Sequence, residues 1–523
     1  MARFCKSVGS RFAVASGCRY ATEAAAGVLT QGGNVIDAAI ASSAVLCVTL
    51  PHSVSIGGDL FALVKTRDNS EVAALNSTGA APRRAYISEY RARGHTFVPV
   101  QGPLSIQPPG LVAGWQALSE RWASWPLAKL LEPATALARG GFAIGARLAR
   151  LSNELAPIYS AQQGWANTYL IGGTPIPEGG ILKQERLATT LSNIAREGAQ
   201  SFYRGKIADD IVRSVARAGG IIEKEDLERV MPEMTRALTI RIGDLSVATQ
   251  PPISQGAVLL RALRLISEQL GEDIGDIRAL WPHAARALQT SFAERLSLLG
   301  DHPNSFELAE AMINGRLQSP QTVPHLAHSG TETTTISVID GDSNAVSLIL
   351  SIFADFGSGV VTDETGILLN NRLSGFFLDD RHPNGLRPGK RTMHTLHSVM
   401  VCDDDGTILA GGSPGGDAQP QVNLQVLSRV LFRHEDIARA VGEPRWMLSP
   451  VTAPSDLKTG SEPTIRCEPD LSAETRQAFE EAGFRTEIMS RADIGSAKWV
   501  MRDREGQLIA ACDTRRDAAV IAE

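Results

Sequence analysis

Three consecutive threonines, Thr333, Thr334 and Thr335, head a run of strand-forming residues, and their position could make one of them a nucleophile. A threonine hydroxyl reacts poorly without a base beside it. A chain that cuts itself just before the threonine supplies that base, because the freed α-amine has an ordinary pKa of about 7.7–8.0 and sits one residue's width from the hydroxyl. The run spans Thr331 to Asp340, Gly341-Asp342-Ser343-Asn344 forms a turn, and residues 345–352 form a second strand. The same pattern also describes an ordinary β-hairpin rich in β-branched residues. The hairpin alone leaves both readings open.

Other chemistry-bearing residues give weaker patterns. The ten histidines include no His-Glu-x-x-His or comparable spacing. His325 and His328 fall in a polar stretch, whereas His394 and His397 flank Thr395 and Leu396 and would need two further ligands to hold zinc. No metal and no cofactor are expected. Cys5, Cys18, Cys47, Cys402, Cys467 and Cys512 are scattered with no Cys-x-x-Cys pair and read as unpaired thiols in a reducing compartment.

The 523 residues carry a net charge of −6 and no basic stripe, which argues against a nucleic-acid partner. A hydrophobic content of 43% with only 5% aromatics implies a core of aliphatic side chains. Met1 to Ser16 is interrupted by Arg3, Lys6 and Arg11 and has no apolar run long enough for a signal peptide. No stretch approaches the roughly 20 apolar residues of a membrane span. A cytoplasmic location, away from membranes, is the expectation. No Pro/Ser-rich linker or charge block divides the chain, so it reads as one globular unit.

Several motifs in fixed order resemble those of the gamma-glutamyltransferase superfamily, over about Phe12 to Asp517. They include Gly33-Asn34-Val35-Ile36-Asp37, Pro51-His52-Ser53-Val54-Ser55-Ile56-Gly57-Gly58 and Pro251-Pro252-Ile253-Ser254-Gln255-Gly256. The last third adds Phe356-Gly357-Ser358-Gly359, Gly366-Ile367-Leu368-Leu369-Asn370-Asn371, Gly412-Ser413-Pro414-Gly415-Gly416 and Asp513-Thr514-Arg515-Arg516-Asp517. The resemblance implies an α+β fold, the four-layer αββα sandwich of N-terminal-nucleophile hydrolases. It also implies an inactive precursor that cleaves itself, here at Glu332–Thr333, into a heavy chain of residues 1–332 and a light chain of residues 333–523 that stay associated. Whether such heterodimers pair further is left open. Residues 316–332 contain Pro320 and Pro324, have no helical or strand period, and suit a tail that must move away from a new site. Many members of the superfamily are exported, and the expected location departs from theirs.

By the same resemblance Thr333 is the nucleophile of both self-cleavage and substrate attack, with its own α-amine as base. Ser351 stands where the superfamily keeps a threonine, on the return strand, within reach of the Thr333 amine or hydroxyl. Gly415 and Gly416 would supply an oxyanion hole. Glycines let backbone approach closely, and N–H groups at a helix start, here a pattern over 419–432, carry partial positive charge.

The substrate pocket departs from gamma-glutamyl chemistry. Thr78 falls where an arginine for the donor carboxylate is expected, with Arg83 or Arg84 as stand-ins, and His394 and Thr395 replace paired serines. Arg372 and Gly375 occupy the two positions where an acid for the donor ammonium is expected, and Phe353 replaces an asparagine. A hydrogen bond to a charged group contributes about 1.5–3 kcal/mol, so these losses should weaken glutamyl binding many-fold. Ile56-Gly57-Gly58-Asp59-Leu60-Phe61, Met393-His394-Thr395-Leu396 and Gly415-Gly416-Asp417-Ala418-Gln419 look like a branch of the superfamily that includes oxamate amidohydrolase. The expected function is hydrolysis of a small-molecule amide with an anionic acyl part. The alternatives are a gamma-glutamyltransferase or glutathione hydrolase with an atypical pocket, and a catalytically silent relative.

Overall fold

The computed structural model describes residues 3–317, 332–404, 406–449, 464–491 and 494–523. Most of the proline-bearing tail ahead of Glu332, with Pro320, Pro324, His325, His328 and Thr331, lies outside the described residues.

Among the described residues, two seven-stranded antiparallel sheets stack face to face. The first runs in the order Ala519–Ala522, Phe12–Ser16, Glu332–Asp340, Ala345–Phe353, Asp59–Lys65, Ala73–Ser77 and Glu233–Arg236. The second runs Phe4–Gly9, Leu508–Asp513, Lys498–Arg502, Gly406–Gly412, Val399–Asp403, Leu245–Thr249 and Leu238–Ile242.

Three apolar clusters define four layers. Between the sheets lie mostly small residues, among them Ala13, Ala15, Ala74, Ala248, Ala345, Ala410 and Ala510, packed with Leu63, Ile339 and Met400. Outside the first sheet, Ile336, Val338, Val346 and Leu348 meet the helices Arg19–Thr30 and Val35–Thr49. Outside the second, Val399, Val401 and Leu409 meet Gly256–Leu270 and Ile277–Leu298. Strands covered on both faces lose the polar/apolar alternation of half-exposed sheets. Accordingly, Glu332–Asp340 is buried throughout except at its last residue.

The motif Asn34-Val35-Ile36-Asp37 acquires a physical reason here. Asn34 accepts from the Ile36 and Asp37 N–H groups, and Asp37 accepts from the Asn34 N–H, a reciprocal cap that contributes about 1 kcal/mol. The capped helix Val35–Thr49 is buried on all sides, and the loop that follows it delivers His52 and Ser53 to the start of strand Glu332–Asp340.

Candidate active site

The expected hairpin is present, with strands Glu332–Asp340 and Ala345–Phe353, the second one residue longer than expected. Its register is regular from Thr334 onward, but slips at the start: Glu332 pairs with Phe353 and Thr334 with Leu350. Two residues of the return strand, Ser351 and Ile352, thus stand opposite the single Thr333 in a β-bulge, the device by which a strand re-aims a side chain.

At this bulge two hydroxyls converge on one carbonyl. Thr333 Oγ1 and Ser351 Oγ each donate to the Glu332 carbonyl oxygen at 2.7 Å. The Ser351 hydroxyl therefore reaches the carbonyl of the Glu332–Thr333 bond rather than the Thr333 amine or hydroxyl expected from the sequence. It is itself oriented by accepting from the Phe353 N–H at 2.7 Å. Phe353 adopts φ +86°, a left-handed conformation that costs a non-glycine residue about 1–3 kcal/mol. The strained turn is held by Asn371, whose side chain accepts from the Ala354 N–H and whose N–H donates to the Ile352 carbonyl. Asn370 braces it from behind by donating to the carbonyls of Gly57 and Gln107. The Asn370-Asn371 pair is thus scaffold.

Ser351 lies opposite Asp59 on the neighbouring strand, and Asp59 anchors a buried polar cluster. Arg372 Nε donates to Asp59 Oδ2 at 3.2 Å, both side chains being fully buried. The Arg372 guanidinium lies 4.4 Å from the Phe353 ring centroid. His394 stacks on Phe61 and its Nε2 lies 3.1 Å from the Thr78 hydroxyl. Thr78 also accepts from Gln107. Burial drives the Asp59 pKa up against the opposing charge of Arg372, and burial with the Arg372 charge drives that of His394 well down.

These contacts revise the pocket in three respects. Arg372 is not an open cation, since Asp59 neutralises it, although its Nη1 and Nη2 have no hydrogen-bond partner among the described residues. An acidic residue does stand in the cluster, and it is Asp59. At Gly375 a β-carbon would come within 3.0 Å of Thr392 Oγ1, so an acid there would need Thr392 to move. Arg83 and Arg84 are exposed.

The Gly415-Gly416 turn precedes the helix Ala418–Leu427, which continues as a wider π turn over Ser428–Phe432. Gly415 has φ +123°, open to glycine and very few other residues. Gly412, at the end of the preceding strand, would place a β-carbon 3.5 Å from Thr335 Cγ2, which puts the turn at the same end of the sandwich as Thr333. A buried network fixes it: Gln255 Nε2 donates to the carbonyls of Gly416 and Thr395, each at 2.9 Å. Arg295 bridges the Gln255 side chain to Asp417. The sequence gives Gln255, Arg295 and Asp417 no role individually, although the first lies within the Pro251–Gly256 motif and the last follows Gly416.

His397, which the sequence offers beside His394, is turned elsewhere, with Nε2 3.1 Å from Asn423 Nδ2. Burial depresses His52 to about 3, His397 to about 4, and His394 below its ordinary value of 6.5. Unfolded, each ring gains a proton as pH falls through about 6.5, whereas the folded protein refuses it. Stability should therefore fall with pH between about 6.5 and 4, by roughly 1.4 kcal/mol per pH unit for each histidine. Urea-unfolding midpoints at pH 7 and pH 5 measure this, and equal midpoints would mean the rings are charged when folded.

Four αββα layers, with a threonine at a bulge whose hydroxyl reaches the preceding carbonyl, define an amide hydrolase of the N-terminal-nucleophile class. Residues 21–523 match the family described as Gamma-glutamyltranspeptidase, and the chain belongs to that family. It is 31% identical over 529 residues to the Glutathione hydrolase-like YwrD proenzyme of Bacillus subtilis, covering 98% of this chain and 99% of that protein. It is 28% identical over 523 residues to the Oxamate amidohydrolase proenzyme of Klebsiella pneumoniae, covering 95% and 96%. Among solved structures it is similar to cephalosporin acylase from Bacillus halodurans, with a TM-score of 0.90, 29% identity and coverage of 99% and 97%. Among the described residues, no helix is long and apolar enough to cross a membrane.

Proposed function

We propose that the protein is a precursor that cuts itself between Glu332 and Thr333 and then hydrolyses a small amide with an anionic acyl part. The observation that carries this reading is the pair of hydroxyls, Thr333 and Ser351, on the Glu332 carbonyl. The Thr333 oxygen adds to that carbonyl carbon, the Glu332–Thr333 C–N bond breaks, and the hydroxyl proton ends on the departing Thr333 nitrogen. Water then hydrolyses the resulting ester, leaving a Glu332 carboxylate and a free Thr333 amine. In the second reaction that amine takes the hydroxyl proton as Thr333 attacks the substrate amide, and the N–H groups of Gly415 and Gly416 receive the oxyanion. The six unpaired cysteines fit a reducing, cytoplasmic setting.

Charge matching supports the choice of acyl group. The charge of Asp59 is already committed to Arg372, so a donor ammonium would find no free carboxylate there. The unpartnered Nη groups of Arg372, in the same buried cluster as Thr78 and neutral His394, favour an anionic oxygen. Asp59 also carries the second reading, a gamma-glutamyl donor whose ammonium displaces Arg372 from it. The two relatives named above divide the same way.

A substrate panel separates these readings. Oxamate and related monoamides of dicarboxylic acids should release ammonia faster than glutathione releases glutamate. Arg372→Lys, which leaves a positive charge beside Asp59, should raise KM for the anionic amide by about 10- to 100-fold through loss of the planar fork. A wide preference for gamma-glutamyl donors would establish the second reading instead.

A further inference from the structure

The residue before the cut is held more tightly than a departing segment requires. The Glu332 side chain is 1% exposed, although a carboxylate is among the groups least often fully buried. It accepts from Ser53 Oγ at 2.7 Å and from Arg516 Nη1 at 3.2 Å, and it is paired with Arg147. Arg147 lies in the first turn of the helix Ala146–Tyr159, Ser53 follows the buried helix Val35–Thr49, and Arg516 belongs to the closing Asp513–Asp517 motif. Three separate parts of the chain thus meet on one side chain. Burial alone would drive the Glu332 pKa up, but Arg516 and Arg147 outweigh it and hold the group ionised. Asp355 shares the site, and burial together with the Glu332 charge pushes its pKa well above the usual carboxylate range.

We infer that Ser53, Arg147 and Arg516 form a carboxylate clamp that positions Glu332 for self-cleavage, and that the clamp accepts a small free carboxylate when the Glu332 side chain is removed. Attack needs the Glu332 carbonyl fixed against the Thr333 hydroxyl, yet a strand is free to slide or rotate at a bulge. Fixing the side chain of the same residue at its far end removes that freedom. A misplacement of about 1 Å can cost on the order of 100-fold in rate. Access exists, because a cavity of about 340 Å³, lined in part by Leu50, Gly145, Arg516 and Asp517, adjoins the clamp. These three are positioning residues, and the inference rests on the proposed cut at Glu332–Thr333.

The test follows maturation of full-length precursor by gel and by N-terminal sequencing of the shorter product. Glu332→Ala should mature on the order of 100-fold more slowly than wild type, with acetate restoring the rate in a saturable manner. Glu332→Gln keeps the side-chain shape and the Ser53 contact but not the charge, so it should be slowed less and should not respond to acetate. Maturation of Glu332→Ala at the wild-type rate would overturn the clamp. So would a slow rate unmoved by acetate in a variant that melts like wild type. If Glu332→Ala does not fold, Glu332→Gln decides alone, and wild-type speed in it overturns the clamp. A wild-type protein that is never cut at Thr333 would remove the proposed function first, whereas a normal cut with an indifferent Glu332 removes only the clamp.

Discussion

Thr333→Ala is expected to remain one chain of 55.9 kDa without amidase activity, while wild type resolves into pieces of about 36 and 20 kDa, the shorter beginning at Thr333. The effect should be all-or-none, because in the proposed mechanism one hydroxyl makes the cut and then serves as nucleophile, and the cut frees the amine that activates it. The substitution removes a single donor to the Glu332 carbonyl and leaves Ser351 in place. The variant should therefore fold, and a thermal melt close to that of wild type would confirm it. A fully active single chain would refute the mechanism. Thr333→Ser should still cut, since a hydroxyl is retained.

The next largest effect is expected at Gly415. Alanine cannot comfortably adopt φ +123°, so Gly415→Ala must shift the turn that carries both candidate oxyanion donors. Loss of one such donor costs about 2.7–4 kcal/mol of transition-state stabilisation, so kcat should fall on the order of 100- to 1000-fold. KM should change little, because the negative charge on oxygen forms only in the transition state. Steady-state kinetics on matured enzyme test this, and an unchanged kcat would place the donors elsewhere. Gly416, at φ +58°, lies where alanine is tolerated at about 1–2 kcal/mol, so Gly416→Ala should be milder.

Much of this site is legible in the sequence because its parts are local. The Thr333 hairpin follows from β-branched residues on either side of a four-residue turn, and the strand bounds that flank the turn, Asp340 and Ala345, agree. The helix after Gly416 follows from its period, though not its π-helical end over Ser428–Phe432. What was not legible depends on long-range pairing. Asp59 heads a strand that is apolar from Leu60 to Val64, and nothing nearby indicates that Arg372, more than 300 residues away, neutralises it. The same distance problem hides Arg147 and Arg516 from Glu332, since no local period links them. The bulge opposite Thr333 is likewise invisible, because register is a property of two strands and a one-strand pattern does not fix it.

The order of the strands has a further consequence for the life history of the molecule. Phe12–Ser16 lies between Glu332–Asp340 and Ala519–Ala522, and Asp59–Lys65 borders Ala345–Phe353. In the other sheet, Phe4–Gly9 borders Leu508–Asp513 and Leu245–Thr249 borders Val399–Asp403. A cut between Glu332 and Thr333 thus yields two polypeptides woven through one another, strand by strand, in both sheets. Neither can leave without both sheets coming apart, so the joined precursor is the form in which this weave can be made at the cost of a single chain's closure entropy. After the cut the same arrangement survives as a kinetic inheritance: long-lived while intact, and dependent on two strangers meeting in solution once it has been undone.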